Sequence, residues 1–339
     1  MRPTIRLSAI AVALAASLLP CAAAAAAPPL VIYGAIGYDV AMGRAFQKAT
    51  GIPTKVVHMS TGPLLARVEA ENRNPQWDIV WLDGAQGTRG LADQGLLAPF
   101  APKARWNALG VRLQPRDHAY VATAATVAGV IVVNTRLLAP AARPRTWNDL
   151  LSPALRNAVG MDNPAISGPT FPFVAGIMRW QGGVPRGKAW FRKLKANGLR
   201  VYDTNAVTLR ALQFGQIKVG IVQSSAAVAA KARGEPFAII YPNPVSLLPR
   251  TIGISAHASP QVRKEAEKFI AFMLSRQGQH VALTGDPSGD SDFNPLLRGE
   301  HPNPGVPPLD TVTVQNIRPS VWGAREAQLV SWFTAHIVH

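Results

Sequence analysis

Loops rich in glycine and hydroxyl residues follow three of the predicted strands. They are Ser60-Thr61-Gly62, Ser167-Gly168-Pro169-Thr170 and Gln223-Ser224-Ser225, and a helix is predicted after each of them. At the carboxyl end of a parallel strand, free N–H groups and the positive end of a helix dipole face a cleft. Small hydroxyl residues let an anionic group approach and add donors of their own. Each loop alone could be only a helix cap, but three in comparable positions favour a ligand site.

Tyrosine and aspartate residues stand at or near the ends of other predicted strands. Tyr33, Tyr38 and Tyr202 could each wall a pocket or pack in the core. Asp83 ends the third strand, where its carboxylate could meet a cation or a ligand amine, or cap the following turn. Asp162 is interpreted as a cap of its own loop. The aromatic and acidic side chains are candidates for the remainder of the binding site.

Signatures of catalysis and of metal binding are absent from the sequence. It contains no G-x-S-x-G or H-E-x-x-H motif, and its one cysteine, Cys21, lies in the predicted leader. Residues 182–189 resemble a P-loop, but Ala189 replaces the hydroxyl residue that would hold Mg²⁺. The pair His336 and His339 lies at the chain end, which favours a solvated terminus over a metal site. We predict a binding protein without catalytic activity, metal or cofactor.

The first 27 residues have the composition of an export signal. Arg2 and Arg6 precede an apolar stretch over residues 7–19, and residues 22–27 offer small side chains for cleavage. The apolar stretch is shorter than the ~20 residues that a membrane span requires. We therefore predict a signal peptide over residues 1–27, its removal, and a periplasmic mature protein.

The chain is strongly basic, with a formal net charge of +16. Its lysines and arginines are scattered, without a run of adjacent bases or interleaved aromatic residues. This pattern favours attraction of anionic solutes or of an anionic membrane surface over binding of nucleic acid.

Short apolar runs alternate with amphipathic segments from residue 30 onward. Residues 30–33, 54–59 and 78–82 are predicted strands separated by predicted helices, which indicates βαβ units and a parallel sheet. The β-branched run at 123–134 suits a strand that crosses between lobes, and residues 245–255 could carry the chain back. This pattern predicts hinge strands that would let two lobes close around a ligand.

The length of the chain predicts more than one lobe. About 310 mature residues exceed what one hydrophobic core usually organises. We predict an α/β fold with two lobes, each a mostly parallel sheet flanked by helices, joined by hinge strands. The predicted division is residues 28–128 plus 253–339 for the first lobe, including the C-terminal helices, and residues 129–252 for the second.

Several segments together resemble the ferric-iron-type family of ABC importer substrate-binding proteins, which also includes phosphonate and sugar-phosphate binders. The likeness runs from about residue 30 to residue 275 and implies solute capture, without catalysis, for a membrane permease. The segments are Val31-Ile-Tyr-Gly-Ala35, Phe46-Gln-Lys-Ala-Thr-Gly-Ile52, Asp78-Ile-Val-Trp-Leu-Asp83, Leu91-Ala-Asp-Gln-Gly-Leu-Leu97, Gly129-Val-Ile-Val-Val-Asn-Thr135, Ser167-Gly168 and residues 205–223.

The resemblance implies that the metal half of the family's site is missing. Its iron-binding members use a histidine in the first loop, a glutamate after the third strand and two adjacent tyrosines in the second lobe. The matching positions look like Gly37, Asp83, and Ser225 with Ala226, and no two tyrosines are adjacent in this sequence. A hard Fe³⁺ ion needs phenolate and carboxylate oxygens, so direct capture of iron is not expected.

The resemblance also implies that the anion half of the site is retained. Ser167-Gly168, Asn205 and Gln223 look like the family positions that hold a companion anion beside the metal. This points to a phosphonate or organic phosphate, with 2-aminoethylphosphonate favoured because Asp83 could pair with its amine. The alternatives are a ferric iron or iron-chelate binder of the same importer class, an exported hydrolase or transferase, and a binder of uncharged or carboxylate solutes.

The predicted ligand site draws on both lobes of a monomer whose closed form an inner-membrane permease recognises. Ligand contacts with both lobes would favour the closed state. The predicted ligand-binding residues are Gly37, Tyr38, Ser60, Thr61, Asp83, Ser167, Gly168, Thr170, Tyr202, Asn205, Gln223, Ser224 and Ser225.

Overall fold

The structure, a computed structural model, describes residues 28–339. The predicted export signal at residues 1–27 lies outside the described residues. In chain order, the elements up to the first crossing between sheets are β1 (Leu30–Gly34), α1 (Asp39–Thr50), β2 (Thr54–His58), α2 (Thr61–Ala70), β3 (Ile79–Asp83), α3 (Ala85–Asp93), β4 (Leu97–Ala98), α4 (Ala108–Leu113) and β5 (Val121–Val127).

The middle of the chain builds a second α/β unit. Its elements are β6 (Val130–Asn134), short 3₁₀ turns at Pro140–Ala142, Asn148–Leu151 and Pro153–Leu155, β7 (Val159–Asp162), α5 (Thr170–Trp180), α6 (Val184–Ala196), β8 (Arg200–Tyr202), α7 (Asn205–Gln213), β9 (Val219–Val222), α8 (Ser224–Ala232) and β10 (Phe237–Ile240).

The last third of the chain returns to the first sheet and then runs along both units. Its elements are β11 (Val245–Ser255), α9 (Pro260–Met273), α10 (Arg276–Thr284), β12 (Asn294–Pro295), β13 (Val314–Gln315), α11 (Pro319–Trp322), a 3₁₀ turn at Gly323–Arg325, α12 (Glu326–Phe333) and a π-helical turn at Thr334–Val338. Within residues 28–339, no helix is both long and apolar enough to cross a membrane.

Two sheets define two lobes. The first sheet has the order β12-β5-β11-β3-β1-β2, with β4 and β13 also pairing with β11, and the second has the order β10-β6-β9-β7-β8. Strands joined by helices are parallel, as β1 is to β2 and β3, and as β7 is to β8 and β9. The strands nearest the crossings, β5, β6, β10 and β11, pair antiparallel. The predicted α/β class is confirmed, and the antiparallel strands arise where the chain changes lobe.

The chain crosses between the lobes where the sequence analysis predicted. The β-branched run at 123–134 forms β5 in one sheet and β6 in the other, with a break at Ala128 and Gly129. A Cβ atom at Gly129 would stand 2.6 Å from the ring of Phe173, so only glycine fits at this crossing. Residues 241–244 make the return crossing into β11.

Capping residues explain where several helices begin and end. Ser259 accepts a hydrogen bond from the Val262 N–H at the start of α9, where Pro260 occupies the first turn. Thr204 accepts from the Val207 N–H before α7. Gly51 has φ 74° at the end of α1, a left-handed conformation that favours glycine.

The C-terminal helix packs on the second lobe. The ring of Phe333 is fully buried and meets Phe191 of α6 edge-on, with ring centroids 5.2 Å apart. The Lys195 ammonium group in α6 donates a 2.7 Å hydrogen bond to the Ile337 carbonyl oxygen. The assignment of residues 28–128 plus 253–339 to the first lobe stays a prediction. Helix α12 falls within that range, but its apolar face is covered by second-lobe residues.

Candidate ligand-binding cleft

A cavity of about 460 Å³ lies between the two lobes. Its first-lobe wall comes from the loops after β1 and β2, and its second-lobe wall from α7 and α8. The loop at residues 286–290 closes a further side. Of the predicted ligand residues, Gly37, Ser60 and Asn205 line this cavity. Parallel strands of both lobes therefore end at it, as expected for ligand sites in open α/β sheets.

Beside the cavity the two lobes touch directly. The Gly62 N–H at the start of α2 donates a 3.1 Å hydrogen bond to the Ile166 carbonyl oxygen of the second lobe. A Cβ atom at Gly168 would overlap the hydroxyl group of Thr61 and stand 2.9 Å from the Asp83 carbonyl oxygen. The glycines of the predicted site thus allow close approach of the lobes, and this part of the cleft is closed.

The polar residues of α7 and α8 form one connected group. Asn205 Oδ1 accepts a 2.9 Å hydrogen bond from the Gln223 N–H, which leaves the Asn205 NH₂ group as a donor for a ligand. Ser224 Oγ accepts from the Val127 N–H at 3.0 Å, which gives this side chain a structural role; its predicted ligand role stays a prediction. The hydroxyl group of Ser225 is fully buried and has no hydrogen-bond partner within residues 28–339.

A buried carboxyl group underlies the Ser167 loop. Asp162, at the end of β7, accepts hydrogen bonds from the hydroxyl groups of Ser167, at 3.3 Å, and of Thr208 in α7. Burial raises its pKa from 3.8 to about 7, and the two hydroxyl donors oppose the rise. Asp162 was interpreted as the cap of its own loop; the structure instead links it to a second helix. Thr170 begins α5 directly after this loop and is buried.

Asp83 is paired within the protein. The Arg250 Nε atom donates a 2.9 Å hydrogen bond to Asp83 Oδ1, and the Arg250 side chain is completely buried. Burial raises the pKa of the Asp83 carboxyl group, although the Arg250 charge opposes the rise. Asp83 does not line the cavity, and its pairing with a ligand amine stays a prediction. Arg250 was missed because its partner lies 167 positions away and only the β11–β3 register joins them.

Tyr38 and Tyr202 were predicted ligand residues, and both pack in protein cores. Tyr38 is buried and meets Trp81 edge-on with ring centroids 5.3 Å apart. Tyr202 lies over Gly160, where a Cβ atom would stand 2.8 Å from its ring. The alternative of core packing, left open by the sequence, is the one that the structure gives for both.

The cavity wall carries charges of both signs. Arg210, Arg233 and His58 face it together with Asp286 and Asp290. A hydrogen bond with the buried Asp39 carboxylate raises the pKa of His58. The aspartates of the 286–290 loop were not predicted as site residues. Their only signal in the sequence is a pair of acids within a stretch rich in proline and glycine.

The described residues lack the donor set of a metal site. Within residues 28–339, no group of three or more His, Cys, Asp or Glu side chains is placed to hold a metal ion. A ferric ion requires several hard oxygen ligands. The cavity wall instead combines neutral and basic hydrogen-bond donors with the carboxylates of Asp286 and Asp290.

Comparison with known proteins identifies the family of the chain. Residues 41–288 match the family model described as bacterial extracellular solute-binding protein. The major ferric iron-binding protein of Neisseria meningitidis is 26% identical over 289 residues, covering 78% of each chain. A protein of Salmonella paratyphi A named "Putative 2-aminoethylphosphonate-binding periplasmic protein" is 25% identical over 241 residues, covering 69% of this chain and 68% of that protein.

Solved structures show the same fold. The periplasmic binding protein AfuA from Actinobacillus pleuropneumoniae, with fructose 6-phosphate bound, has a TM-score of 0.81 at 20% sequence identity. The match covers 91% of this chain and 98% of AfuA. The predicted two-lobed α/β fold and the predicted family resemblance are both confirmed. The chain belongs to the bacterial extracellular solute-binding protein family, and it is therefore a solute-binding protein rather than an enzyme.

Proposed function

We propose that this protein captures a small organic phosphate or phosphonate in the cavity between its lobes. The observation that carries the proposal is the buried hydroxyl group of Ser225 at the first turn of α8, which has no hydrogen-bond partner within residues 28–339 and directly precedes Ala226 of the cavity wall. A buried polar group without a partner costs free energy. An anionic oxygen of a ligand would give this donor an acceptor at the positive end of a helix dipole.

Other donors line the cavity itself. The side-chain oxygen of Asn205 accepts the bond from Gln223, so the Asn205 NH₂ group takes no part in that bond. Asn205 is the first residue of α7 and lines the cavity. Ser60 lines the cavity, and its side chain does not cap its own helix, α2. Arg210 adds a positive charge to the wall. Charge-assisted hydrogen bonds from such groups to phosphoryl oxygens are stronger than bonds between neutral groups.

The relatives are consistent with a phosphoryl ligand but differ in what they bind. One carries the name of a 2-aminoethylphosphonate-binding protein, and AfuA holds fructose 6-phosphate. 2-Aminoethylphosphonate was the specific hypothesis from the sequence, yet Asp83 is paired with Arg250 and does not line the cavity. The ammonium group would instead meet Asp286, which lines the cavity. The proposal therefore rests on recognition of the phosphoryl group of the ligand. It also includes delivery of the bound ligand to the permease by a monomer of this protein.

The test is a thermal-shift screen followed by calorimetric titration of the protein without residues 1–27. The probes are 2-aminoethylphosphonate, methylphosphonate, fructose 6-phosphate, inorganic phosphate, ferric citrate and glycine. A ligand at a hundredfold excess over its Kd stabilises the folded state by ~2.7 kcal/mol, which is readily seen. We expect shifts with phosphoryl compounds. A shift with ferric citrate alone, accompanied by a visible absorption band, would favour iron binding and refute the proposal.

Two adjacent serines provide a matched pair of variants. Ser225→Ala removes a hydroxyl group without a partner, so we expect unchanged or higher stability and about tenfold weaker binding of the phosphoryl probe. Ser224→Ala leaves the Val127 N–H unpaired and should lower stability instead. Equal affinity of Ser225→Ala and the natural protein would contradict the proposed position of the anion.

A further inference from the structure

A buried arginine lies beside the cavity with a carboxylate on each side. Arg250 Nε bonds to Asp83 Oδ1, while Arg250 Nη2 donates to Asp290 Oδ1 at 2.7 Å. Arg250 Nη1 also donates to the Asp290 carbonyl oxygen. The first carboxylate belongs to a strand of the same sheet. The second comes from a loop. We therefore treat Asp83 as the fixed partner of Arg250 and Asp290 as the partner that a ligand can replace.

The Asp290 carboxylate is held in the way that a bound anion is held. Its Oδ1 faces the guanidinium group, and its Oδ2 accepts a 2.7 Å hydrogen bond from the Gly37 N–H. The Asp290 side chain is 21% exposed and lines the cavity, whereas the Arg250 side chain is 0% exposed. A guanidinium group together with a backbone N–H is a donor set suited to carboxylates and phosphoryl groups.

The loop that carries Asp290 also contacts the second lobe. Arg233, the residue that follows α8, donates from Nη1 to the Pro287 carbonyl oxygen at 3.0 Å. A Cβ atom at Gly289 would stand 2.9 Å from the Ala226 Cα atom, which lies in α8. Asp286 accepts bonds within the loop, from Ser288 and from the Asp290 N–H. The loop is thus held internally by hydrogen bonds to Asp286, and its outward contacts are hydrogen bonds, one close packing point and the ion pair of Asp290 with Arg250.

We infer that Arg250 and the Gly37 N–H form an anion receptor, that Asp290 occupies it as an internal ligand, and that a solute with a second acidic group binds by displacing Asp290. The inference rests on the proposed function in one respect: the first acidic group of the solute is placed at α7 and α8. An internal ligand competes at high effective concentration. The apparent affinity for such a solute is therefore the intrinsic affinity multiplied by the fraction of receptor that Asp290 leaves free.

The test uses Asp290→Ala in the protein without residues 1–27. Removing the carboxylate leaves the receptor empty, so we expect sodium acetate to raise the melting temperature of the variant in a saturable manner. We also expect phosphonoacetate, which carries a phosphonate and a carboxylate, to bind the variant about tenfold tighter than the natural protein, because one charge-assisted interaction is regained. Methylphosphonate should bind both proteins equally. Asp310→Ala, which removes an exposed carboxylate elsewhere, should show neither effect.

The outcomes separate this inference from the proposed function. Absence of a specific acetate effect, or equal affinity of the two proteins for phosphonoacetate, overturns the inference. If acetate and phosphonoacetate behave as expected while methylphosphonate binds no variant, the receptor stands and the proposed phosphoryl site fails. If Asp290→Ala does not fold, Asp290→Asn keeps the shape and one acceptor oxygen, and a smaller gain in phosphonoacetate affinity is then expected.

Discussion

Replacing the buried carboxyl group of Asp162 by an amide, in Asp162→Asn, is expected to change how stability depends on pH. The side chain faces only two hydroxyl groups, those of Ser167 and Thr208, and no positive charge accounts for its pKa. Burial disfavours the ionised form, and the pKa is raised from 3.8 to about 7. An amide of the same shape retains one acceptor and gains a donor, so the packing is preserved while the ionisation is removed.

The magnitude follows from the shift of the pKa. One unit corresponds to about 1.4 kcal/mol, so ionising Asp162 in the folded state costs about 4 kcal/mol in total. Because the folded pKa is above the unfolded one, this contribution to stability is complete below the unfolded pKa and is lost as the pH rises through about 7. About 3 kcal/mol of the loss falls between about pH 5 and about pH 8.

The assay is urea unfolding of the natural protein and of Asp162→Asn at several pH values in that window. The free energy of unfolding of the variant should rise relative to the natural protein by about 3 kcal/mol from pH 5 to pH 8. Other carboxyl groups with raised pKa values, including Asp83 and Asp292, titrate in both proteins and cancel in the difference. Parallel stability curves would refute the reasoning, because they would mean that Asp162 ionises freely in the folded protein.

Three further substitutions test the fold and the closed cleft. Gly62→Ala places a Cβ atom against the carbonyl oxygen of Ala165 across the lobe contact; small-angle scattering should show a larger radius of gyration, and an unchanged radius would contradict the closed contact. Phe333→Ala should lower the free energy of unfolding by about 3–5 kcal/mol. The control Phe214→Ala, at a side chain that is 71% exposed, should have little effect. Equal effects of the two substitutions would place α12 outside the core. Arg250→Met removes the ion-pair partner of Asp83 and of Asp290 and should cost about 3–5 kcal/mol at pH 8. The loss should be smaller at pH 5, because burial raises the pKa of Asp83; a loss independent of pH would point to packing alone.

Much of the fold follows from short-range patterns in the sequence. Residues 30–33, 54–59 and 78–82 were predicted strands, and they contain most of β1, β2 and β3. The predicted extended segment at 245–255 coincides with β11. Such elements are set by the period of apolar residues and by capping residues a few positions away, so a local reading recovers them.

The candidate site was recovered less completely, because ambiguous residue types take their roles from distant partners. Tyr38 and Tyr202 were compatible with either a pocket or a core, and neighbours from other elements place both in cores. Ser224 and Ser225 look equivalent in the sequence. In the described part of the chain, residues 28–339, Ser224 accepts a bond from β5, whereas the Ser225 hydroxyl has no partner.

The sequence by itself determined the class of the protein: an α/β chain with alternating strands and helices, three polar loops at strand ends, no adjacent tyrosines and no catalytic signature. Only the tertiary structure decided which side chains share the cleft. Arg250 reaches Asp83 through the register of β11 on β3, and Asp290 reaches Gly37 across 253 positions of chain. Local periodicity is encoded by neighbouring residues, whereas these contacts depend on how two sheets and a late loop pack together.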